Sequence, residues 1–89
     1  MRVRWADEAL LDIERHVEYI AEFNPSAAQA VAVSLLKAGD SLKTFAYRGR
    51  VGTDPRTREL VAVHPYILVY EIGHAEVIVL RVWHGAQDR

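Results

Sequence analysis

Two stretches near the end of the chain, Tyr66–Ile72 and Ala75–His84, are apolar on both of their alternating sides. Leu68 and Tyr70 oppose Ile67 and Val69 in the first. Val77 and Val79 oppose Ile78, Leu80 and Val82 in the second. Such runs are strands that need cover on two faces, which few small folds supply. Gly73-His74 between them fits a two-residue hairpin, with glycine providing a positive φ at the first turn position. Arg58–Val63 reads as the preceding strand and stops at His64-Pro65, because proline cannot donate into a ladder.

The cover has to come from the first half. Met1–Trp5 alternates, Val3 against Arg2 and Arg4, as a short edge strand does. From Asp7 to about Phe23, Leu10, Ile13, Val17 and Ile20 recur at steps of three and four, the stripe of an amphipathic helix. Asn24-Pro25 ends that helix and starts the next, with Asn24 as cap and Pro25 at the first helical position. The second helix runs to about Phe45 on a stripe of Ala28, Val31, Leu35, Ala38, Leu42 and Phe45. Gly39 inside it costs about 1 kcal/mol relative to alanine and marks a close crossing. Tyr47–Thr57, with two glycines, a proline and three arginines, reads as an exposed loop. Two helices cannot wrap both faces of a four-stranded sheet. One apolar sheet face is therefore expected to await a partner.

At 89 residues there is room for a single domain spanning 1–89, and the chain has no cysteine to staple it or to bind zinc. No run of about 18 apolar residues is present, and the N-terminus has no signal-peptide pattern, so a cytoplasmic location is expected. Net charge is only −1 but unevenly spread. Asp7, Glu8, Asp12, Glu14, Glu18 and Glu22 face Arg15 alone in the first helix, whereas Arg48, Arg50, Arg56 and Arg58 cluster in the loop. That basic end suits an anionic partner; a solvated acidic helix and an arginine-rich loop account for it equally well.

Chemistry-bearing residues concentrate in the tail. Strand alternation puts Val77, Val79, Arg81 and Trp83 on one face and Ile78, Leu80, Val82 and His84 on the other. Arg81 then needs a carboxylate, with Glu71 the candidate on the neighbouring strand, or an anion outside the chain. His84 could act as acid or base beside phosphate held by Arg58 or Arg81, or it simply ends the strand with its ring hydrogen-bonded. His16, His64 and His74 lack metal-ligand spacing with carboxylates, so neither metal nor cofactor is expected. Ser26, Ser34 and Ser41 carry no nucleophile motif, and no Gly-Lys phosphate loop occurs.

In order, the chain presents a short strand, an acidic helix with Leu10, Ile13 and Tyr19-Ile20, an alanine-rich helix, and a Gly-Arg loop. Thr57-Arg58-Glu59-Leu60-Val61, Pro65-Tyr66, Leu68-Val69-Tyr70 and Leu80-Arg81-Val82-Trp83-His84-Gly85 follow. This ordered set resembles the RelE/ParE superfamily of toxins from type II toxin–antitoxin modules, also called plasmid stabilisation proteins, over essentially the whole chain. The resemblance implies helices on one sheet face and an antitoxin segment wrapped around the toxin. It also implies one of two activities. RelE-like members cleave mRNA in the ribosomal A site, using basic residues with a tyrosine or histidine near the C-terminus; ParE-like members inhibit DNA gyrase. Arg58, Arg81 and His84 match the superfamily motif, but no lysine follows Lys43 and no tyrosine follows Tyr70. The ending His84-Gly85-Ala86-Gln87-Asp88 resembles the ParE branch more closely. Two local departures concern geometry: Arg56-Thr57 precedes Arg58-Glu59-Leu60 while Gly52-Thr53 lies earlier, and Ala6 replaces a capping Ser or Thr, leaving Asp7 to cap.

The expectation is an α+β fold of order β-α-α-β-β-β, with a helical hairpin on one face of a mainly antiparallel four-stranded sheet. The expected function is a ParE-like toxin that inhibits gyrase by binding and forms a hetero-oligomer with a cognate antitoxin. Arg48, Arg50, Arg58, Arg81, Trp83 and His84 are the expected contacts. The alternatives are a ribosome-dependent mRNA endoribonuclease, with Arg58 and Arg81 on phosphate and His84 as acid or base, or an inactive homologue that still binds an antitoxin.

Overall fold

The computed structural model describes residues 1–85; the part of the ParE-like ending beyond Gly85 lies outside them. Strand β1 (Arg2–Trp5) leads into helices α1 (Asp7–Ala21) and α2 (Pro25–Asp40). A short 3₁₀ turn (Ser41–Lys43) follows α2, then β2 (Arg50–Val51), β3 (Arg58–Val63), β4 (Tyr66–Ile72) and β5 (Glu76–His84). The sheet has five strands in the order β1-β5-β4-β3-β2, with β1 parallel to β5 and the other pairs antiparallel. No described helix is long and apolar enough to cross a membrane.

The α+β layout is as expected, with one more strand than the sequence pattern yields. Arg50 and Val51 pair with Glu59 and Arg58, so the arginine loop closes the sheet's far edge. Two residues between Gly49 and Gly52 are too few to register as an alternating pattern. Asn24 caps α2 as expected, its side chain accepting the Ala27 N–H at 3.1 Å. Helix α1, by contrast, is capped by Ala6 and receives no side-chain hydrogen bond there; Asp7 is already helical. The β4–β5 connection is Gly73–Ala75 rather than two residues, and none of the described glycines has positive φ. Its closing bond runs from the Gly73 N–H to the Glu76 carbonyl at 2.7 Å. A longer connection closes without the mirror-image turn. His64-Pro65 is a cis peptide in the β3–β4 turn.

The core lies between the helices and the sheet. Ala9 and Ile13 of α1 and Leu35, Ala38 and Leu42 from α2 and the following turn pack on Leu60, Leu68, Tyr70, Val77, Val79 and Val82. Leu10 and Phe45, expected in the helical stripes, are exposed instead. Alternation along β4 puts Ile67 and Val69 on the sheet's other side, outside this core cluster, yet they are only 4% and 6% exposed. The back of the sheet is therefore less open than two-sided apolarity implies. The large exposed apolar side chains sit mostly elsewhere: Leu10, Leu11, Tyr19 and Phe23 on and just beyond α1, Leu36 on α2, and Phe45 and Tyr47 beyond it.

One mismatch in length shapes this half of the molecule. Strand β1 has four residues and β5 has nine, and β1 stops pairing at Val79. Beyond the last rung, where the Ala6 N–H reaches the Val79 carbonyl at 2.9 Å, the edge of β5 has no neighbouring strand among the described residues. Helix α1 takes over. Asp12 accepts the Val82 N–H at 2.9 Å, and His16, one turn later, donates from Nε2 to the Val82 carbonyl at 2.9 Å. The spacing of four puts both side chains on one helix face, so together they stand in for a strand. Directing that pair at β5 turns Ala9 inward and Leu10 out, while Ile13, Val17 and Ile20 of the expected stripe stay against the core.

Strand β5 also breaks its own alternation here. Val69 pairs with Arg81 and Tyr70 with Val79, leaving Leu80 as an extra residue. The bulge moves burial from Val77 and Val79 to Val82, so Arg81 does not share the core row of Val77 and Val79 as simple alternation requires. The guanidinium of Arg81 reaches Asp12 through two bonds, Nε to Oδ2 at 2.8 Å and a terminal nitrogen to Oδ1 at 3.1 Å. Arg15 also donates to Oδ1. Asp12 is only 1% exposed and uses both oxygens twice.

Gly39 is as tightly placed as its position in a helix implies. A Cβ there would lie 2.2 Å from Cζ2 of Trp5, so the β1 indole occupies the space a side chain needs. Gly39→Ala gains about 1 kcal/mol of helix propensity and incurs overpacking of about 1–3 kcal/mol. The expected result is a lower melting temperature, partly recovered when Trp5→Leu is added. A gain in stability from Gly39→Ala alone would contradict the crossing.

Burial by itself pushes the Asp12 carboxyl up, but hydrogen bonds from Arg81, the Val82 N–H and Arg15 outweigh it and hold the group below its ordinary 3.8. The unfolded chain therefore takes up this proton first as pH falls. The contribution of Asp12 is complete above about pH 4 and is lost as pH drops through the folded value. Asp12→Asn should lower stability at neutral pH by about 2–4 kcal/mol, the exposed part of Arg81 tempering a fully buried pair. The variant's urea midpoint should also fall less between pH 5 and 3 than that of the wild type, and parallel pH curves for the two would refute the latch.

Candidate functional site

The six expected contact residues occupy different parts of this frame. Arg81 is committed to Asp12, with Glu8 a further 4.0 Å contact; Glu71, the partner expected from sequence, is not the one used. His84 ends β5 opposite Tyr66, and their rings meet edge to face at 5.5 Å. His16 approaches the same tyrosine at 5.0 Å, so a buried Tyr66 ring is flanked by two histidines. Trp83 is half-buried and pairs with Ile67. Arg58, at the start of β3, donates to the Gly49 carbonyl at 2.6 Å and lies 4.9 Å from the centre of the Tyr47 ring. Arg50 meets Glu59 at 3.3 Å, and Arg48 donates to Ser41 Oγ at 2.9 Å.

Arg58 and His84 are not brought together. Their β4 partners, Tyr70 and Tyr66, are four residues apart, roughly 13 Å at a strand's rise. Arg81 belongs to the opposite side of β4 from Arg58 and is drawn towards α1. Arg58 and His84 thus sit at separate stations along the sheet, and Arg81 is engaged by Asp12. Among the described residues, no three His, Asp or Glu side chains gather as a metal site.

What does converge is the segment after α2. Tyr70, wholly buried, projects its phenol beneath that segment. The hydroxyl accepts the Gly49 N–H at 2.8 Å and donates to the Ala46 carbonyl at 2.8 Å. Burial pushes this phenol above its usual pKa, so it remains a neutral donor. No side chain fits at Gly49, where a Cβ would be 2.7 Å from that hydroxyl. Ser41 Oγ ties back to the Ala38 carbonyl at 2.6 Å and receives Arg48. With the backbone pinned at Ala46 and Gly49, Phe45 and Tyr47 are turned outward, 63% and 70% exposed. They line a groove of about 600 Å³ with Ser41, Thr44, Ala46 and Arg48.

Nearby carboxylates are already used. Glu59 holds Arg50, and Asp54 holds Arg56, whose hydrogen bonds bring the Asp54 carboxyl down to about 2. Among the described residues, neither Arg48 nor Arg58 pairs with a carboxylate.

Sequence patterning missed three residues of consequence. Asp12 reads as part of the acidic helix face, though its place beside Ile13 in the inward stripe is a signal. The helical stripe puts Phe45 in the core, and Tyr47 reads as a loop residue. Two aromatics bracketing Ala46 in a polar, arginine-bearing segment were the available hint.

Residues 3–89 match the family described as ParE toxin of the type II toxin–antitoxin system parDE. The chain is 40% identical over 86 residues to Toxin RelE2 of Caulobacter vibrioides, covering 97% of each. It is 37% identical over 88 residues to Putative toxin Y4kP of Sinorhizobium fredii, covering 98% of this chain and 91% of the relative. In fold, it superposes on a chain of the chromosomal ParDE toxin–antitoxin system from P. aeruginosa with a TM-score of 0.88 at 19% identity, covering 94% and 95%. The conserved hypothetical protein HP0894 from Helicobacter pylori matches with a TM-score of 0.60 at 20% identity, covering 97% and 96%. With a family match across nearly its whole length, the chain belongs to the ParE toxins of type II toxin–antitoxin systems, a class of protein that is held by a cognate antitoxin.

Proposed function

We propose that this toxin acts by binding DNA gyrase and stopping its supercoiling cycle, without cleaving a substrate itself. The observation that carries this reading is the commitment of Arg81 to the buried Asp12 carboxylate. RNA cleavage requires a cation on the reacting phosphate and an acid or base within about 3 Å of the atoms that gain and lose protons. Here one cation is neutralised by a buried carboxylate, Arg58 sits opposite Tyr70, four β4 residues from the Tyr66 that faces His84, and the His84 ring packs on Tyr66. A protein inhibitor needs no such convergence; it needs rigid, exposed surface of defined charge. In this reading the residues 1–89 work as a single binding domain in the cytoplasm, where gyrase resides.

Messenger RNA cleavage on the ribosome is the second reading, favoured by the name RelE2 carried by a relative that is 40% identical. In that case Arg58 and Arg81 would hold phosphate and His84 would move the proton.

Relaxed plasmid incubated with purified gyrase and ATP should remain relaxed when this protein is added, and supercoiling should return when antitoxin is supplied. Supercoiling that is unchanged at a large molar excess of toxin rules gyrase out. Primer extension on mRNA translated in the protein's presence should show no new ends. New ends that disappear with His84→Ala would assign the nuclease activity instead.

A further inference from the structure

We propose that the groove bounded by Phe45, Tyr47 and Arg48 is the docking site for an acidic segment of the cognate antitoxin, anchored by one apolar side chain. The inference rests on the toxin–antitoxin reading and adds where, and through what chemistry, the partner is held. Phe45 and Tyr47 are both more than half exposed on a short segment that the buried Tyr70 phenol fixes from below. A surface aromatic pair held rigid in this way loses little conformational entropy on binding, which favours an anchor pocket. The groove's volume, about 600 Å³, admits a side chain of leucine or phenylalanine size together with its flanking backbone.

Charge selects the occupant. Arg48 stands on the groove wall, and among the described residues its guanidinium donates to a neutral hydroxyl and to no carboxylate. Arg58, behind the Tyr47 ring, rests on a carbonyl and that ring. Both cations therefore keep their capacity for a carboxylate, and Lys43 lies on the preceding turn. Neighbouring Arg50 and Arg56 are neutralised by Glu59 and Asp54. The positive patch is thus short, two or three charges beside an apolar trough. A nucleic acid strand calls for a longer row of unpaired cations, since its affinity comes from many phosphates. An acidic peptide with one apolar anchor matches both the charge and the trough.

The same argument separates the antitoxin from the other partners. Gyrase handles a polyanion, and a surface built for DNA is basic; Arg48 and Arg58 would repel it, whereas Glu8, Glu14, Glu18 and Glu22 of the α1 side attract it. A second copy could offer that acidic helix to the groove, but such a head-to-tail contact lacks the two-fold self-complementarity of the commonest dimers and gives a ring or an open chain according to its rotation.

Because the side chains involved are exposed, Phe45→Ala/Tyr47→Ala and Arg48→Glu should fold with wild-type circular dichroism. The probe is the purified cognate antitoxin, titrated calorimetrically against the full chain. The double alanine variant should bind at least 30-fold more weakly. Arg48→Glu should lose roughly tenfold at low salt, with a smaller loss at high salt. Wild-type binding that is undiminished in both variants overturns the groove and leaves the module reading intact. Failure of the wild-type chain to bind overturns both. Antitoxin binding that survives while the variants abolish either retention of a single-stranded oligonucleotide or self-association would assign the groove to that occupant and overturn the proposal.

Discussion

A nine-residue strand beside a four-residue one leaves backbone groups with nowhere to pair, and the rest of this fold is arranged around that shortfall. An unpaired buried N–H costs about 1–3 kcal/mol, so the edge of β5 beyond Val79 must find donors and acceptors. Asp12 and His16 provide them from α1. That duty sets the rotation of α1 about its axis, and with it which side chains reach the core. It also brings the Asp12 carboxylate to Arg81, at the point where the Leu80 bulge lets β5 change the side it buries. Helix orientation, bulge and ion pair are one solution to one problem.

The outward surface follows from the same constraint. Turning Asp12 and His16 inward leaves Leu10 and Leu11 outside, interleaved with Asp7, Glu8 and Glu14. Beyond α2, the Tyr70 phenol performs a similar service for irregular backbone, satisfying Ala46 and Gly49 and turning Phe45 and Tyr47 to solvent. The molecule thereby carries an acidic apolar surface on one helix and a basic aromatic groove past the other. Opposite charge on two separate surfaces suits them to partners of opposite charge.

Much of the fold was legible because its elements are long enough to display a period. The helical hairpin, the Asn24 cap and strands β3 to β5 follow from apolar spacing and from Asn24-Pro25 and His64-Pro65, whereas α2 ends at Asp40, short of the Phe45 to which its stripe extends. What stayed hidden was set by partners distant in sequence. Strand β2 exists only because Arg58 and Glu59 offer it an edge. The inward turn of α1 depends on Val82, seventy residues beyond Asp12. The bulge had a signal in retrospect: strict alternation would have placed Arg81 in the row of Val77 and Val79, and a guanidinium in a core row calls for an irregularity that removes it.

The candidate site was less legible than the fold, for a related reason. Arginines announce charge in a sequence but not whether that charge is already used. Of Arg48, Arg50, Arg58 and Arg81, the structure neutralises Arg50 and Arg81 with Glu59 and Asp12. It leaves Arg48 and Arg58 on neutral partners. Position 12 therefore bears on more than stability. An apolar residue there would leave the Val82 N–H unmet, and any residue without a carboxylate would remove the charge that Asp12 sets against Arg81, so the choice at position 12 weighs on fold and chemistry together. Phe45 and Tyr47 are under no such double constraint. Their backbone is fixed by Tyr70, their side chains bear no core load, and they can be matched to a partner without disturbing the fold.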